Sequence, residues 1–136
     1  MNKVTGSCLC GANRFEVEGE FESFFLCHCS RCRKDTGSAH GANLFSTTAR
    51  LRWLSDGTAV SRYKLPGTEH ARNFCSTCGS ALPSEQMDGK LLVVPAGSLD
   101  SEFSMRPTAH LFVSSKAAWD HDLETIPQME KLPQGE

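Results

Sequence analysis

Cys75-Ser76-Thr77-Cys78-Gly79 is a C-x-x-C followed by glycine. This spacing curls so that both sulfurs point inward, and Gly79 permits a positive φ immediately after the turn. Outward from it, the other five cysteines fall into two more clusters, Cys8-Leu9-Cys10 and Cys27-His28-Cys29 with Cys32, so all seven cysteines of the 136-residue chain are clustered. Disulfides join cysteines singly across Cα distances of about 4.4–6.8 Å and need no clustering. A metal ion does need it, because three or four thiolates must converge within about 2.3 Å of one point. The cysteines therefore read as reduced ligands of zinc or a similarly soft ion.

In extended chain a C-x-C places both sulfurs on one face, since side-chain direction repeats every two residues. Seven sulfurs divide naturally into four and three. Closed structural zinc sites have four protein ligands, whereas sites with three keep an open position. Cys27, Cys29 and Cys32 form one continuous hook that fills three corners of a tetrahedron. Cys8, Cys10, Cys75 and Cys78 then close a second site. Spacing alone leaves other pairings open, such as Cys8 and Cys10 with Cys27 and Cys29. Two Zn²⁺ per chain are expected, the three-ligand site binding more weakly and filling partly. With a charge of about −1, that site suits exchange of a soft ligand such as a thiolate better than activation of water.

The rest of the composition is ordinary: 39% hydrophobic, 22% charged, and a formal net charge of −2. The length fits one domain over residues 1–136, with a core spanning about 4–131. No basic stripe is present to displace counterions from nucleic acid. No stretch approaches the roughly 20 apolar residues of a membrane span. The N-terminal MNKVTGSCLC is too polar for a signal peptide, so a cytoplasmic location is expected.

Apolar residues alternate or form short runs over Asn13–Gly19, Phe21–Cys29, Ala42–Thr47, Arg50–Leu54, Ala59–Leu65, Arg72–Cys75, Lys90–Ala96 and His110–Val113. In the first run, Phe15 and Val17 share one face, and Arg14, Glu16 and Glu18 the other. Asp56-Gly57, Pro66-Gly67 and Asp88-Gly89 supply turn chemistry. No helical period lasts beyond two turns, although Leu123–Lys131 could form a short C-terminal piece. The class is mostly β, a single domain of short antiparallel strands whose core is too small without metal staples. Phe24, Phe25, Phe45, Trp53, Phe74 and Trp119 are expected in that core.

The blocks GSCLCGANRFEVEG (Gly6 to Gly19), CHCSRCRKDTGSAHGANL (Cys27 to Leu44), RNFCSTCGSAL (Arg72 to Leu82), VPAGSLD (Val94 to Asp100) and HLFVSSKAAW (His110 to Trp119) run in order along nearly the whole chain. Together they resemble the glutathione-dependent formaldehyde-activating enzyme family, which includes centromere protein V. The resemblance implies the zinc-containing β-tent fold. It implies structural zinc on Cys8, Cys10, Cys75 and Cys78, and a labile zinc on Cys27, Cys29 and Cys32 at the active site. It also implies glutathione, or a similar small thiol, as partner. His40, Ser76 and Ala118 depart from the family's usual residues.

The implied activity is that of a carbon–sulfur lyase working toward S-(hydroxymethyl)glutathione, with a non-catalytic glutathione- or zinc-binding module as the alternative. A protein-interaction module is a third reading, disfavoured by the acidic charge. Arg31, Arg33 and Lys34 crowd the hook, where they either attract an acidic ligand or merely balance the thiolates. His40 is a weak candidate for substrate binding, or for a fourth ligand or proton shuttle, set against a surface or packing role, and Lys116 is a weak candidate for the cleft. A structural place is expected for His110. His28 should point away from the hook, and His70 and His121 should be solvated.

Overall fold

The computed structural model describes residues 2–133. The strands run in chain order as β1 (Lys3–Ser7), β2 (Arg14–Glu18), β3 (Ser23–Cys27), β4 (Gly41–Ser46), β5 (Arg50–Trp53), β6 (Val60–Lys64), β7 (Ala71–Cys75), β8 (Ala81–Leu82), β9 (Ser84–Gln86), β10 (Leu91–Pro95) and β11 (Ala109–Leu111). A two-turn helix, α1 (Ser30–Thr36), lies between β3 and β4. They make three small sheets of order β1-β2-β5, β11-β3-β4-β10-β9 and β6-β7-β8. Pairing is antiparallel except between β11 and β3, where Leu111 lies opposite Cys27 in a parallel ladder. Among the described residues no helix is long and apolar enough to cross a membrane.

Period-two patterning explains most of this. Phe15 and Val17 point into the core, while Arg14 is exposed. Glu16 departs from its expected solvent face and is only 8% exposed. Its strand is the central one of its sheet, so Lys3 from β1 and Arg52 from β5 reach across, each with a nitrogen 3.3 Å from the carboxylate. Phe15 meets Trp53 edge-on at 5.8 Å between ring centroids. With Val17, Phe24, Leu44, Leu82, Leu92 and Val94, it forms a small buried cluster that also contains Cys8 and Cys75.

Other features also differ from the sequence expectation. β1, β8, β9 and α1 were not anticipated. The C-terminal segment holds only a single 3₁₀ turn at Leu123–Thr125 where a longer helical piece was expected. Trp119 lies on the surface at 60% exposure rather than in the core. The Cys8–Cys10 segment is a turn, not an extended strand, with the Gly11 N–H donating to the Cys8 carbonyl at 3.1 Å.

β1 depends on having no side chain at Gly6. This residue pairs with Phe15 and bridges to Leu99. A methyl group there would overlap the Phe15 ring and the Ser98 carbonyl oxygen, whereas one at Gly97 would meet open space. Gly6→Ala is therefore expected to cost about 2–3 kcal/mol in chemical denaturation at constant zinc, against a near-neutral Gly97→Ala. Equal stability of the two variants would show that β1 shifts freely.

Candidate metal centres

The first centre forms where two tight turns meet. After β1 the chain reverses through Cys8 to Gly11, with Gly11 at φ 82° and Leu9 at the exposed tip. Opposite it, β7 ends at Cys75. The Gly79 N–H donates to the Cys75 carbonyl at 2.9 Å, and Gly79 itself sits at φ 80°. This is the knuckle that the Cys75–Gly79 spacing predicts. The Leu9 N–H donates to Ser80 Oγ at 2.9 Å and joins the two turns directly.

The sulfurs of Cys8, Cys10, Cys75 and Cys78 all lie within 4.8 Å of one another. Cys8 Sγ and Cys10 Sγ are 3.6 Å apart, and Cys10 Sγ and Cys75 Sγ are 3.8 Å apart. A tetrahedron with metal–sulfur bonds of about 2.3 Å has edges of about 3.8 Å. A disulfide, by contrast, needs about 2.05 Å, and all seven cysteines are free. Donors are also aimed at these sulfurs. The Asn13 N–H reaches Cys8 Sγ at 3.3 Å, and the Thr77 N–H reaches Cys75 Sγ at 3.4 Å. Ser80 Oγ lies 3.2 Å from Cys78 Sγ.

These contacts set the thiols against one another. The Ser80 hydroxyl, then the Ser80 and Cys10 backbone, draw Cys78 down to about 5. Cys10 accepts from the Ala12 backbone, which lowers it, but desolvation and the neighbouring thiols Cys8, Cys78 and Cys75 outweigh this and raise it to about 11. Four thiols packed so closely cannot all ionise alone, and a divalent cation supplies the charge that lets them. The donor set fits zinc.

The second centre is local. Cys27 closes β3, and Cys29 caps α1 in extended conformation, its Sγ accepting from the Cys32 N–H at 3.4 Å. Cys32 lies in the first turn of α1. Gly37 in the left-handed region ends that helix, its N–H donating to the Arg33 carbonyl at 2.8 Å. The three half-buried sulfurs lie within 4.8 Å of one another. Burial, then Cys27 and Cys29, pushes the Cys32 thiol well above the ordinary range. Burial raises Cys29 too, but the Cys32 N–H and the adjacent thiols more than offset it, leaving Cys29 below its usual value. Three soft donors fit a zinc ion with one position left open.

The remaining candidates scatter. Arg31 and Lys34 are exposed on α1. Arg33 is half-buried and its Nε donates to the His28 carbonyl at 3.4 Å, tying helix to turn. Lys116 is exposed. His70 is not solvated as expected, because it hydrogen-bonds Asp35 of α1. His121 is exposed, as expected. His28 is buried and turned away from the hook, with Nε2 2.8 Å from His110 Nδ1. His40 packs its ring against His28 at 5.1 Å. Burial, and next the neighbouring His28, hold His40 below the usual histidine range. Asp120, which sequence reasoning missed, places Oδ2 3.3 Å from His28 Nδ1. It reaches there because β11 runs beside β3, a long-range pairing that no local pattern announces.

Residues 3–115 match the sequence profile described as glutathione-dependent formaldehyde-activating enzyme. A protein of Halomonas elongata that carries this same description as its provisional name is 34% identical over 123 residues, 85% of this chain and 78% of that protein. A crystal structure of a Rhodobacter sphaeroides protein superposes with a TM-score of 0.61 at 22% identity, covering 78% of this chain and 98% of that one. That likeness supports the fold.

The two centres differ in what they hold together. Cys10 and Cys75 are 65 residues apart in sequence, whereas the hook spans one short loop. Structural zinc contributes on the order of 10 kcal/mol to small domains, comparable with their whole stability. Cys78→Ser should therefore be unfolded or insoluble. Cys32→Ser should stay folded and lose about one zinc per chain, since a local loop closes at small entropic cost. Thermal melts and zinc content measure both, and equal collapse of the two variants would make the hook part of the fold's support.

Proposed function

Because the chain belongs to the glutathione-dependent formaldehyde-activating enzyme family, we propose that it joins a small thiol, glutathione first, to formaldehyde or a related aldehyde. It would act as a carbon–sulfur lyase in the direction of adduct formation. The observation that carries this reading is the Cys27, Cys29 and Cys32 hook, three converging sulfurs that leave one side unliganded. Zinc held by these residues would supply positive charge and a free coordination position, favouring the ionised form of an incoming thiol. Cys8, Cys10, Cys75 and Cys78 take the structural role.

The chemistry makes small demands. The thiol sulfur forms a bond to the aldehyde carbon, and the carbonyl π bond breaks toward oxygen. That oxygen receives the proton the thiol gives up. No oxidant and no covalent bond to the protein is involved, so positioning provides the acceleration. Arg31 and Lys34 are exposed beside Cys32 and, among the described residues, form no ion pair. They are suited to steer the two carboxylates of glutathione. Arg33 is engaged with the His28 carbonyl and contributes charge rather than a free fork. His40 sits against His28 and is given no part in substrate binding. A cytoplasmic setting, where thiols stay reduced, accords with seven free cysteines.

The half-buried hook favours ligand exchange at a surface, which also suits a non-catalytic thiol-binding module. One experiment separates the two. Exchange between free aldehyde and adduct is followed by NMR at equal glutathione, with and without protein. Acceleration by the wild type that is lost in Cys32→Ser supports catalysis. Glutathione binding without acceleration supports the module instead, and neither binding nor acceleration overturns both. Reversing charge at Arg31 and Lys34 should weaken glutathione capture roughly tenfold at low salt and less at high salt.

A further inference from the structure

We propose that His28, His40 and Asp120 form a third metal site, for a first-row divalent cation of the zinc class, that fastens the C-terminal segment against the back of the hook. It is independent of the glutathione reading and uses none of the seven cysteines.

Three electron-pair donors converge there. His28, His40 and Asp120 each bring a ligand atom within 4.8 Å of the other two, and His28 Nδ1 lies 3.3 Å from Asp120 Oδ2. His28 Nδ1, His40 Nδ1 and Asp120 Oδ2 are all buried without a hydrogen-bond partner among the described residues, and His28 is only 1% exposed. Buried polar atoms are normally paired, and three unpartnered electron-pair donors grouped this closely are the donor set a divalent cation takes.

The ring nitrogens agree with this. His28 Nε2 lies 2.8 Å from His110 Nδ1. With the proton on Nε2, His28 donates to His110 and turns a lone pair at Nδ1 toward Asp120. Metal-bound histidines characteristically donate their second ring N–H to a neighbouring acceptor, which fixes the tautomer. The competing arrangement is a charge relay in which His28 Nδ1–H donates to Asp120. The two atoms stand 3.3 Å apart, yet no hydrogen bond joins them. The same 3.3 Å matches the edge of a tetrahedron with metal–nitrogen and metal–oxygen bonds of about 2.0–2.1 Å.

Two imidazoles and a carboxylate suit zinc-class ions and leave a fourth position for water. The donors come from the turn after β3, the residue before β4, and the C-terminal segment. Asp120 is half-buried in a stretch where Trp119 and His121 on either side are exposed. An ion here would close that stretch onto the Cys27–Cys32 turn, whose sulfurs form the hook on the other side. One short backbone segment would then carry two centres of different chemistry.

The test is titration of metal-depleted, reduced full-length protein with Co²⁺, read by visible absorption, and with Zn²⁺, read by metal analysis after desalting. Thiolate-bound cobalt shows sulfur charge-transfer bands, and imidazole- and carboxylate-bound cobalt does not. The expected result is one equivalent with visible d–d bands but no sulfur charge transfer, absent in both His40→Phe and Asp120→Asn. The thiolate signal should persist in both variants, which separates this site from any failure of the hook. Protease should cleave the C-terminal segment faster in Asp120→Asn than in the zinc-loaded wild type. Should His40→Phe fail to fold, the near-isosteric Asp120→Asn decides alone. Absence of the sulfur-free equivalent in the wild type, or its persistence in Asp120→Asn, would overturn the proposal.

Discussion

Four sulfurs meet between two turns, at the junction of two of this molecule's three sheets. The β1-β2-β5 and β6-β7-β8 sheets have three strands each, too few for independent stability without a hydrophobic face to pack. They meet where the Cys8–Gly11 turn faces the Cys75–Gly79 knuckle. Cys8 and Cys75 are 4% and 1% exposed and sit in the same cluster as Phe15 and Val17. The cluster is therefore part of the core rather than an ornament on it. Hydrogen bonds from Leu9 to Ser80 and from Asn13 to the Ala59 carbonyl reinforce the junction. Metal ligation there would couple folding to thiol ionisation, so that pH, redox state and metal supply would act on stability through one point.

The hook has a different logic. It is built from the last residue of β3, a capping residue and the first turn of α1, a helix with no buried residue. Little of the core leans on that helix, which is what the proposed ligand-exchanging role requires. The same segment turns the buried His28 the other way, into a polar group with half-buried His40 and Asp120 and the exposed His110. The parallel pairing of β11 with β3 brings that group together, with the His28 N–H donating to the Leu111 carbonyl at 2.9 Å. A strand added late in the chain thus equips the rear face of a centre defined early in it.

Spacing made the three cysteine clusters legible because metal ligation imposes local periodicity that survives in sequence, whereas their pairing into two centres is a matter of the fold. The longer strands were legible for the same kind of reason, since alternation at Phe15 and Val17 or a run such as Leu91–Pro95 is local. β1 was not, because KVTGS offers one valine and a glycine, and its strand character comes from pairing with β2 and from the room Phe15 takes at Gly6. α1 was hidden for a related reason. With no apolar stripe, it is defined by the Cys29 cap and by Gly37, and the basic residues Arg33 and Lys34 in its last turn were the available signal. Asp120 lies 92 positions from His28, and only the three-dimensional pairing of β11 with β3 connects them.

The central claim is that closely packed thiols, not disulfides, organise this chain around zinc. X-ray absorption at the zinc edge of the purified protein tests it most directly. The account predicts a first shell dominated by sulfur at about 2.3 Å. A shell of nitrogen and oxygen alone at about 2.0–2.1 Å, or zinc-free folded protein whose cysteines are joined as disulfides, would contradict it.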